Sequence, residues 1–344
     1  MTIKDLYAPA ASSSHAGEAG KTGRAGVNNP SPEPRKPCIS YELYPPRNPR
    51  LTSQAWAGID KLLDSRPDYV SVTFGTSDTN ASSSQSVLLH SLKRSGRPAL
   101  AHLTCWGRGR EALTGIIIDM MEVGVRDFLA LRGDVPPDAM RHDHQTHELE
   151  RAVQLVALIR EVAAGYLGDP NQVSIAVAAY PAGTQQARRD AVAALAEKQA
   201  AGADFAITQV FYDAADYIEL VESAAQKGAN LPIVPGVIPF TDIGRLRRLE
   251  SLTGVPVPQR LQDIAAIADP AERILESVGA TLDFVDDLMA AGAPGIHFYT
   301  FNRPRPVLDL VAHLRSRGFG HVDKQDSTNM LEMMMANMRR ISPQ

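Results

Sequence analysis

The chain has 344 residues, a formal net charge of −4 and 44% hydrophobic residues, so it can bury one large core. The mild charge and the lack of a basic stripe argue against a nucleic-acid partner, and no apolar run is long enough to span a bilayer. The two cysteines, Cys38 and Cys105, are too few for a disulfide framework. These properties predict a cytoplasmic protein with buried thiols and without a membrane or nucleic-acid partner.

The first segment differs in composition from the rest of the chain. Residues 1–37 are rich in Ala, Ser, Gly and Pro and contain almost no large apolar side chains. Such a composition cannot offset the conformational entropy that is lost when a segment orders. The sequence therefore predicts a disordered tail over residues 1–37, whose removal changes neither activity nor melting temperature.

From residue 38 to residue 318, short apolar runs alternate with helical patterns. The runs are rich in β-branched residues and are bounded by Gly, Pro or polar clusters, as strands are. The predicted strands cover residues 39–46, 69–75, 99–105, 127–134, 173–180, 205–212, 233–239 and 295–301. The predicted helices cover residues 52–65, 83–95, 109–124, 147–165, 185–201, 214–227, 241–252, 271–291 and 305–317. Eight strands, each followed by a helix, predict a single-domain α/β protein with a (β/α)8 TIM barrel.

An alternative architecture and a C-terminal extension also have to be considered. An open doubly wound sheet is the alternative architecture, but no GxGxxG motif follows the first strand. Residues 319–344 form an extension outside the alternation, and its Met-rich part, residues 331–340, predicts a short amphipathic helix. That helix can pack on the barrel, pair with a second subunit or fray, so homo-oligomerisation stays open.

The strand ends carry the residues that predict function. Side chains alternate between the two faces of a strand, so the apolar face of Ile39, Tyr41 and Leu43 directs Glu42 into the barrel. A carboxyl buried there has a raised pKa, which suits a general acid; the alternative is a glutamate at an exposed strand end. Polar residues at the ends of other strands are Ser71, Thr73, His102, Thr104, Arg132, Asp134, Gln209, His297 and Tyr299. Because barrel active sites draw on several strand ends, these residues predict a catalytic centre at that end.

A histidine-rich segment offers a second candidate site. Residues 141–148, RHDHQTHE, place three histidines beside acidic residues. The segment lacks apolar neighbours that would orient metal ligands. We interpret it as a solvated loop and predict no metal site.

The strand-end motifs, taken in order, resemble those of methylenetetrahydrofolate reductases. The matching segments are SYELYPPR (40–47), YVSVTFG (69–75), AHLTC (101–105), LALRGD (129–134), VAAYP (177–181), AGADFAITQVFYD (201–213), PGVIP (235–239) and GIHFYTFNR (295–303). The resemblance covers residues 39–314. It implies a barrel of one-carbon metabolism and methionine biosynthesis that reduces 5,10-methylenetetrahydrofolate to 5-methyltetrahydrofolate. NAD(P)H is the implied reductant, and FAD is the implied cofactor at the strand C-termini.

The resemblance also implies roles for individual residues. Glu42 corresponds to the general acid that protonates the folate, and Asp134 to the aspartate beside the flavin and the pterin. The implied folate contacts are Gln209, Phe211, Tyr299 and Arg303. The implied flavin contacts are Thr73, His102, Arg132, Gly133, Asp134, Ala178, Tyr180 and Lys198. Hydride would pass from NAD(P)H to the flavin and then to the folate methylene carbon.

The sequence departs from the family pattern where the adenosine diphosphate half of FAD is expected. The loop of residues 182–190 lacks the family's acidic, His-Pro-containing segment, and the next helix has Ala194 and Glu197 near its usual Asn and Arg. Arg151 lies near a position that is usually tyrosine. Because a glutamate beside a diphosphate is repulsive, the departures predict weaker FAD binding. Two alternatives stay open, namely direct hydride transfer from NADH without flavin and a folate-binding barrel without catalytic activity.

Overall fold

A computed structural model describes residues 1–8, 36–46, 52–73, 78–133 and 148–320, with the backbone alone for residues 78–81. Within these ranges, nine parallel strands form one sheet in the order β7-β6-β5-β4-β3-β2-β1-β9-β8. The strands are β1 (Cys38–Leu43), β2 (Tyr69–Val72), β3 (Ala99–Thr104), β4 (Asp127–Leu131), β5 (Ser174–Ala179), β6 (Phe205–Thr208), β7 (Ile233–Val234), β8 (Gly236–Val237) and β9 (Gly295–Tyr299).

The helices surround this sheet close to their predicted positions. They are α1 (Ile3–Tyr7), α2 (Thr52–Asp64), α3 (Asp78–Ser95), α4 (Arg110–Glu122), α5 (Ala152–Leu167), α6 (Gln185–Ala200), α7 (Ala214–Gln226), α8 (Ile243–Thr253), α9 (Gln259–Ala265), α10 (Pro270–Ala290) and α11 (Val307–Ser316). The sequence did not predict α1 or α9, both of which are short. In the part of the chain that the structure describes, no helix has the length and apolar character needed to cross a membrane.

The seventh predicted strand is divided at Pro235. Its first half, β7, pairs with β6, and its second half, β8, pairs with β9. Proline has no N–H for a ladder, but its carbonyl accepts a hydrogen bond from the backbone N–H of His297 at 3.0 Å. One chain segment thus joins both ends of the sheet, which closes the barrel and confirms the predicted (β/α)8 architecture.

Two apolar layers follow from the alternation of side chains along the strands. Ile39, Tyr41 and Leu43 are buried between β1 and the surrounding helices, as their parity predicts. Side chains of the opposite face fill the interior of the barrel, where Tyr69 and Phe205 are fully buried. The barrel interior is therefore apolar toward the N-terminal ends of the strands, which leaves its C-terminal end for polar residues.

Helix α1 packs on the apolar interior from the N-terminal end of the barrel. The side chains of Ile3 and Leu6 are 0% and 6% exposed and lie in one cluster with Tyr69 and Phe205. The backbone N–H of Ile3 donates to Asp127 Oδ1 at 2.7 Å. These contacts fix the helix by both hydrophobic burial and a buried hydrogen bond.

The structure therefore corrects the prediction of a disordered tail for residues 1–8. Two apolar side chains are enough to anchor a short helix, but they do not change the average composition of a 37-residue segment. Residues 9–35 lie outside the described part of the chain. So do residues 321–344 with the predicted Met-rich helix, and residues 141–147 of the histidine-rich segment.

Replacing Ile3 with alanine is expected to lower the melting temperature. Removing a buried isoleucine side chain costs about 2 kcal/mol or more, which corresponds to a fall of roughly 4–8 °C. Ala8 is exposed at the end of the same segment, so Ala8→Ser serves as the control and should leave the melting temperature unchanged. If Ile3→Ala has the same melting temperature as the wild type, α1 contributes nothing to stability.

Candidate active site

Glu42 lies near the C-terminal end of β1, where its side chain points into the barrel and is 6% exposed. Tyr44 Oη donates a hydrogen bond to Glu42 Oε2 at 2.6 Å, and Thr73 Oγ1 donates to Oε1 at 3.3 Å. Burial raises the pKa of Glu42 to about 7, although the two hydroxyl donors partly oppose the shift. Glu42 is therefore a buried carboxyl that is part protonated at neutral pH, as predicted, and not a glutamate at an exposed strand end.

His102 of β3 lies beside Glu42. Its Nδ1 lies 3.7 Å from Glu42 Oε1, and burial lowers the pKa of its imidazole to about 4. The ring is therefore neutral at the pH where Glu42 titrates. Its buried Nε2 has no hydrogen-bond partner among the described residues. A buried ring nitrogen without a partner is a position that a bound ligand can satisfy.

His297 of β9 forms a polar layer one step deeper in the barrel. Its Nδ1 lies 2.8 Å from Ser40 Oγ, and its Nε2 lies 3.2 Å from Ser71 Oγ. Burial and the neighbouring His102 lower the pKa of His297 to about 3, so the imidazole is neutral. With both nitrogens in hydrogen bonds, His297 is a rigid support beneath Glu42 and has no free group to offer a ligand.

Tyr299 forms the wall opposite β2 and pairs with Glu42 in the register of β1 and β9. Its hydroxyl donates to the backbone carbonyl of Thr208 at 2.6 Å. A Cβ atom at Gly236 would lie 2.7 Å from Tyr299 Oη and 2.5 Å from the Thr208 carbonyl oxygen. Only glycine fits at this position, so Gly236 is a residue that the site requires and that the sequence analysis missed.

The predicted folate contacts Gln209 and Arg303 lie beyond the ends of β6 and β9. Gln209 is half-buried, and its Oε1 accepts a hydrogen bond from the N–H of Val210 at 2.8 Å. Arg303 is exposed, and its Nη1 lies 3.5 Å from Asp242 Oδ2. Both side chains are thus at the C-terminal end of the barrel, where the sequence placed them.

The structure contradicts the prediction that Phe211 contacts folate. Its side chain is 0% exposed and packs against Tyr217 and Phe284, with ring centres 6.3 and 5.2 Å away. The prediction extended the sixth strand to residue 212, whereas β6 ends at Thr208. Once strand pairing ends, side chains no longer alternate between two faces, and Phe211 turns into the outer core.

The comparisons with known proteins cover the same barrel. The family model described as Methylenetetrahydrofolate reductase matches residues 29–315. The chain belongs to the methylenetetrahydrofolate reductase family. It is 33% identical over 270 residues to the 5,10-methylenetetrahydrofolate reductase of Pectobacterium carotovorum, covering 77% of this chain and 86% of that relative. It is 32% identical over 269 residues to the enzyme of that name from Escherichia coli, with the same coverage.

A solved structure supports the fold independently. An uncharacterized protein from Clostridium thermocellum, described as binding two copies of 5-methyl-5,6,7,8-tetrahydrofolic acid, matches with a TM-score of 0.55 and 14% identity. The match covers 81% of this chain and 94% of that protein. At this identity the similarity establishes a shared barrel architecture.

The ring-binding end of a methylenetetrahydrofolate reductase flavin site has suitable residues here. Thr73 and His102 flank Glu42, and His102 offers its unpartnered Nε2. Gly133 has φ +91, and a Cβ there would lie 3.1 Å from Thr104 Cβ, so glycine is required after β4. Arg132 is exposed beside it. Asp134 follows directly but lies outside the described residues.

At the diphosphate-binding end of a methylenetetrahydrofolate reductase flavin site, the described residues Lys198 and Arg151 are already bound to other groups of the protein. Lys198 Nζ donates to the Ala178 carbonyl at 2.8 Å and lies 5.8 Å from the centre of the Tyr180 ring. Burial and the charge of Arg151 lower the pKa of Lys198 to about 8. Arg151 in turn forms an ion pair with Glu197. Among the described residues, Lys198 and Arg151 are thus both engaged by the protein, and the partner of Arg151 is a carboxylate.

Proposed function

We propose that this chain reduces 5,10-methylenetetrahydrofolate to 5-methyltetrahydrofolate with NAD(P)H. The observation that carries the proposal is Glu42, a carboxyl with a pKa of about 7 at the mouth of a barrel of this family. A general acid works best when its pKa lies near the operating pH. A barrel that only binds folate has no need of a buried acid of this kind.

The proposed reaction begins with proton transfer from Glu42. The proton goes to the folate nitrogen that leaves the methylene carbon, and the carbon–nitrogen bond breaks to give a cationic iminium. Hydride then adds to that carbon and forms the methyl group, so charge and electrons balance. Tyr299 lies beside Glu42 on the neighbouring strand, and the glutamate is 6% exposed, so little water reaches the acid. Asp134 is proposed to stabilise the cation electrostatically.

The other residues predicted from the sequence belong to the same proposal. Gln209, Tyr299 and Arg303 would orient the folate at the ends of β6 and β9. Phe211 is not included, because it is buried in the outer core. The residues proposed for the flavin ring and its neighbourhood are Thr73, His102, Arg132, Gly133, Asp134, Ala178, Tyr180 and Lys198.

The route of the hydride is the finer part of the proposal. A bound flavin would take hydride from NAD(P)H and make it available to the folate. The ion pair of Arg151 and Glu197 disfavours the diphosphate of FAD, so we propose that any FAD is held weakly. The same observation favours a second candidate, direct transfer from NADH to the folate at the end of the barrel where Glu42 lies.

Incubating the purified protein with 5,10-methylenetetrahydrofolate tests the proposal. Oxidation of NADH or NADPH is followed by absorbance, and 5-methyltetrahydrofolate is quantified by chromatography, with and without added FAD. One equivalent of methyl product per NAD(P)H supports the reductase. Tight folate binding without turnover under all these conditions would instead support a non-catalytic barrel.

The pH dependence of the reaction should report the titration of Glu42. We expect kcat/KM to be constant at low pH and to fall tenfold per unit above about pH 7, because only the protonated carboxyl can act as the acid. Steady-state rates from pH 5.5 to 9.5 provide the measurement. A profile that stays flat across pH 7 would contradict the assignment of Glu42 as the general acid.

A further inference from the structure

Among the described residues, Tyr44 makes the shortest hydrogen bond to the side-chain carboxylate of Glu42, although it was not among the predicted site residues. It follows β1 two residues after Glu42 and is half-buried. Its hydroxyl donates to Glu42 Oε2 at 2.6 Å, whereas Thr73 Oγ1 is 3.3 Å from Oε1. Spacing of two along an extended chain places both side chains on one face, which is the signal that could have identified the pair.

The surrounding loop holds Tyr44 in place from the other side. Its ring stacks on Phe301, with centres 5.2 Å apart and an interplanar angle of 6°. Its N–H donates to Asn302 Oδ1 at 2.9 Å, and Asn302 Nδ2 donates to its carbonyl at 2.7 Å. Phe301 and Asn302 both have positive φ, 50 and 58, which is unfavourable for residues other than glycine. Both residues of this turn contact Tyr44, and Phe301 also packs under the guanidinium of Arg245, 4.2 Å from the ring centre.

The hydroxyl of Tyr44 is a permanent donor in this setting. Burial, followed by the charge of Glu42, raises the pKa of Tyr44 well above its ordinary value. The phenol therefore keeps its proton throughout the range in which Glu42 titrates. Its hydrogen bond to the carboxylate favours the ionised form of Glu42 and opposes the effect of burial.

We propose that Tyr44 is a positioning residue for Glu42. The hydroxyl of Tyr44 donates a hydrogen bond to Glu42 Oε2, which leaves the transferable proton on Oε1. A carboxyl oxygen that accepts a short hydrogen bond is the less basic of the two, so the proton resides on the other. The inference rests on the proposed function, because it assigns a role within that acid step. Tyr44 would determine which oxygen of Glu42 delivers the proton and the pH at which Glu42 becomes ionised.

The other groups that face Glu42 do not compete for this role. Thr73, which follows β2, makes only the longer contact to Oε1. His102 of β3 and His297 of β9 have pKa values lowered by burial to about 4 and about 3, so both are neutral. Tyr299 of β9 is neutral as well, because burial raises its pKa well above the ordinary value, and it donates to Thr208. Tyr44 is therefore the strong donor to Glu42 within the described part of the barrel.

Replacing Tyr44 with phenylalanine removes the hydroxyl and keeps the ring stack and the backbone contacts to Asn302. We expect the descending limb of the kcat/KM profile to move up by about one pH unit, because one hydrogen bond that favours the carboxylate is lost. We expect kcat at low pH to fall about tenfold, since the proton is no longer held on one oxygen and the acid is weaker. The KM for the folate should not change.

Tyr41→Phe, on the strand that Tyr44 follows, is the matched control. Its hydroxyl lies on the opposite face, 2.9 Å from Ser65 Oγ, and its ring is fully buried in the outer core. This control removes one hydroxyl from a more deeply buried tyrosine without touching Glu42. In Tyr41→Phe, the descending limb of the kcat/KM profile and the value of kcat at low pH should both be the same as in the wild type.

A second readout does not require turnover. The side-chain carboxyl carbon of Glu42 is followed by carbon-13 NMR in glutamate-labelled protein, with Glu42→Gln identifying its signal. We expect a midpoint near pH 7 in the wild type and about one unit higher in Tyr44→Phe. If the NMR midpoint moves in a protein that does not reduce folate, the positioning role stands and the proposed function fails. If Tyr44→Phe reduces folate but shifts neither the descending limb of its pH profile nor the NMR midpoint of Glu42, the inference about Tyr44 is overturned.

Discussion

Replacing Glu42 with glutamine is expected to lower the rate of folate reduction by roughly 10²–10⁴-fold, the usual contribution of a general acid. The amide has nearly the same volume and can still accept the hydrogen bond of Tyr44, but it has no proton to transfer at neutral pH. Folate affinity should therefore be preserved. Single-turnover rates and equilibrium binding of 5-methyltetrahydrofolate together separate these two effects.

The same substitution should not destabilise the fold at alkaline pH. The pKa of Glu42 is raised from 4.5 to about 7 in the folded protein, so its stabilising contribution is present at low pH and is lost between those values. Glutamine cannot ionise, so at pH 8 the variant should melt at the wild-type temperature or above it. A variant that keeps near-wild-type turnover would show that Glu42 has a structural role alone. Glu222→Gln, at an exposed position of α7, is the control and should change neither rate nor melting.

Protein purified without added flavin is expected to be colourless or nearly so. Each charge-assisted hydrogen bond to a diphosphate is worth roughly 1.5–3 kcal/mol, so losing two or three weakens FAD by several orders of magnitude. In this chain Lys198 donates to the Ala178 carbonyl, and Arg151 is paired with Glu197. Visible spectra before and after dialysis, with FAD fluorescence titration, measure the affinity directly. Stoichiometric FAD that survives dialysis would contradict weak binding.

A variant of the ion pair tests its cause. Glu197→Gln removes the negative charge and releases Arg151, so FAD should bind a few-fold more tightly at low salt, the modest effect typical of exposed charges. Glu222→Gln again provides the control with the same chemical change on another helix. Unchanged FAD affinity in Glu197→Gln would show that the pair does not set flavin binding. Full activity of flavin-free protein, unaffected by added FAD, would establish the direct hydride route.

The sequence by itself determined the architecture and the position of the acid. Strand and helix patterns depend on the local period of apolar residues, and this period is strong in a barrel whose every strand is covered by a helix. The parity of β1 was enough to direct Glu42 inward, because alternation holds wherever strand pairing is continuous. The family motifs lie at the strand ends because the ligands of a barrel are bound there.

Only the tertiary structure decided the contacts between distant parts of the chain. Helix α1 is stable because residues from several strands form one apolar surface, which no local window contains. Arg151 and Glu197 meet because α5 and α6 are neighbours around the barrel. The side chain of Phe211 does not point to the predicted face because β6 ends at Thr208, and where a strand ends depends on its pairing partner. Local patterns set the period and face of each element, whereas long-range packing decides where pairing stops and which side chains meet.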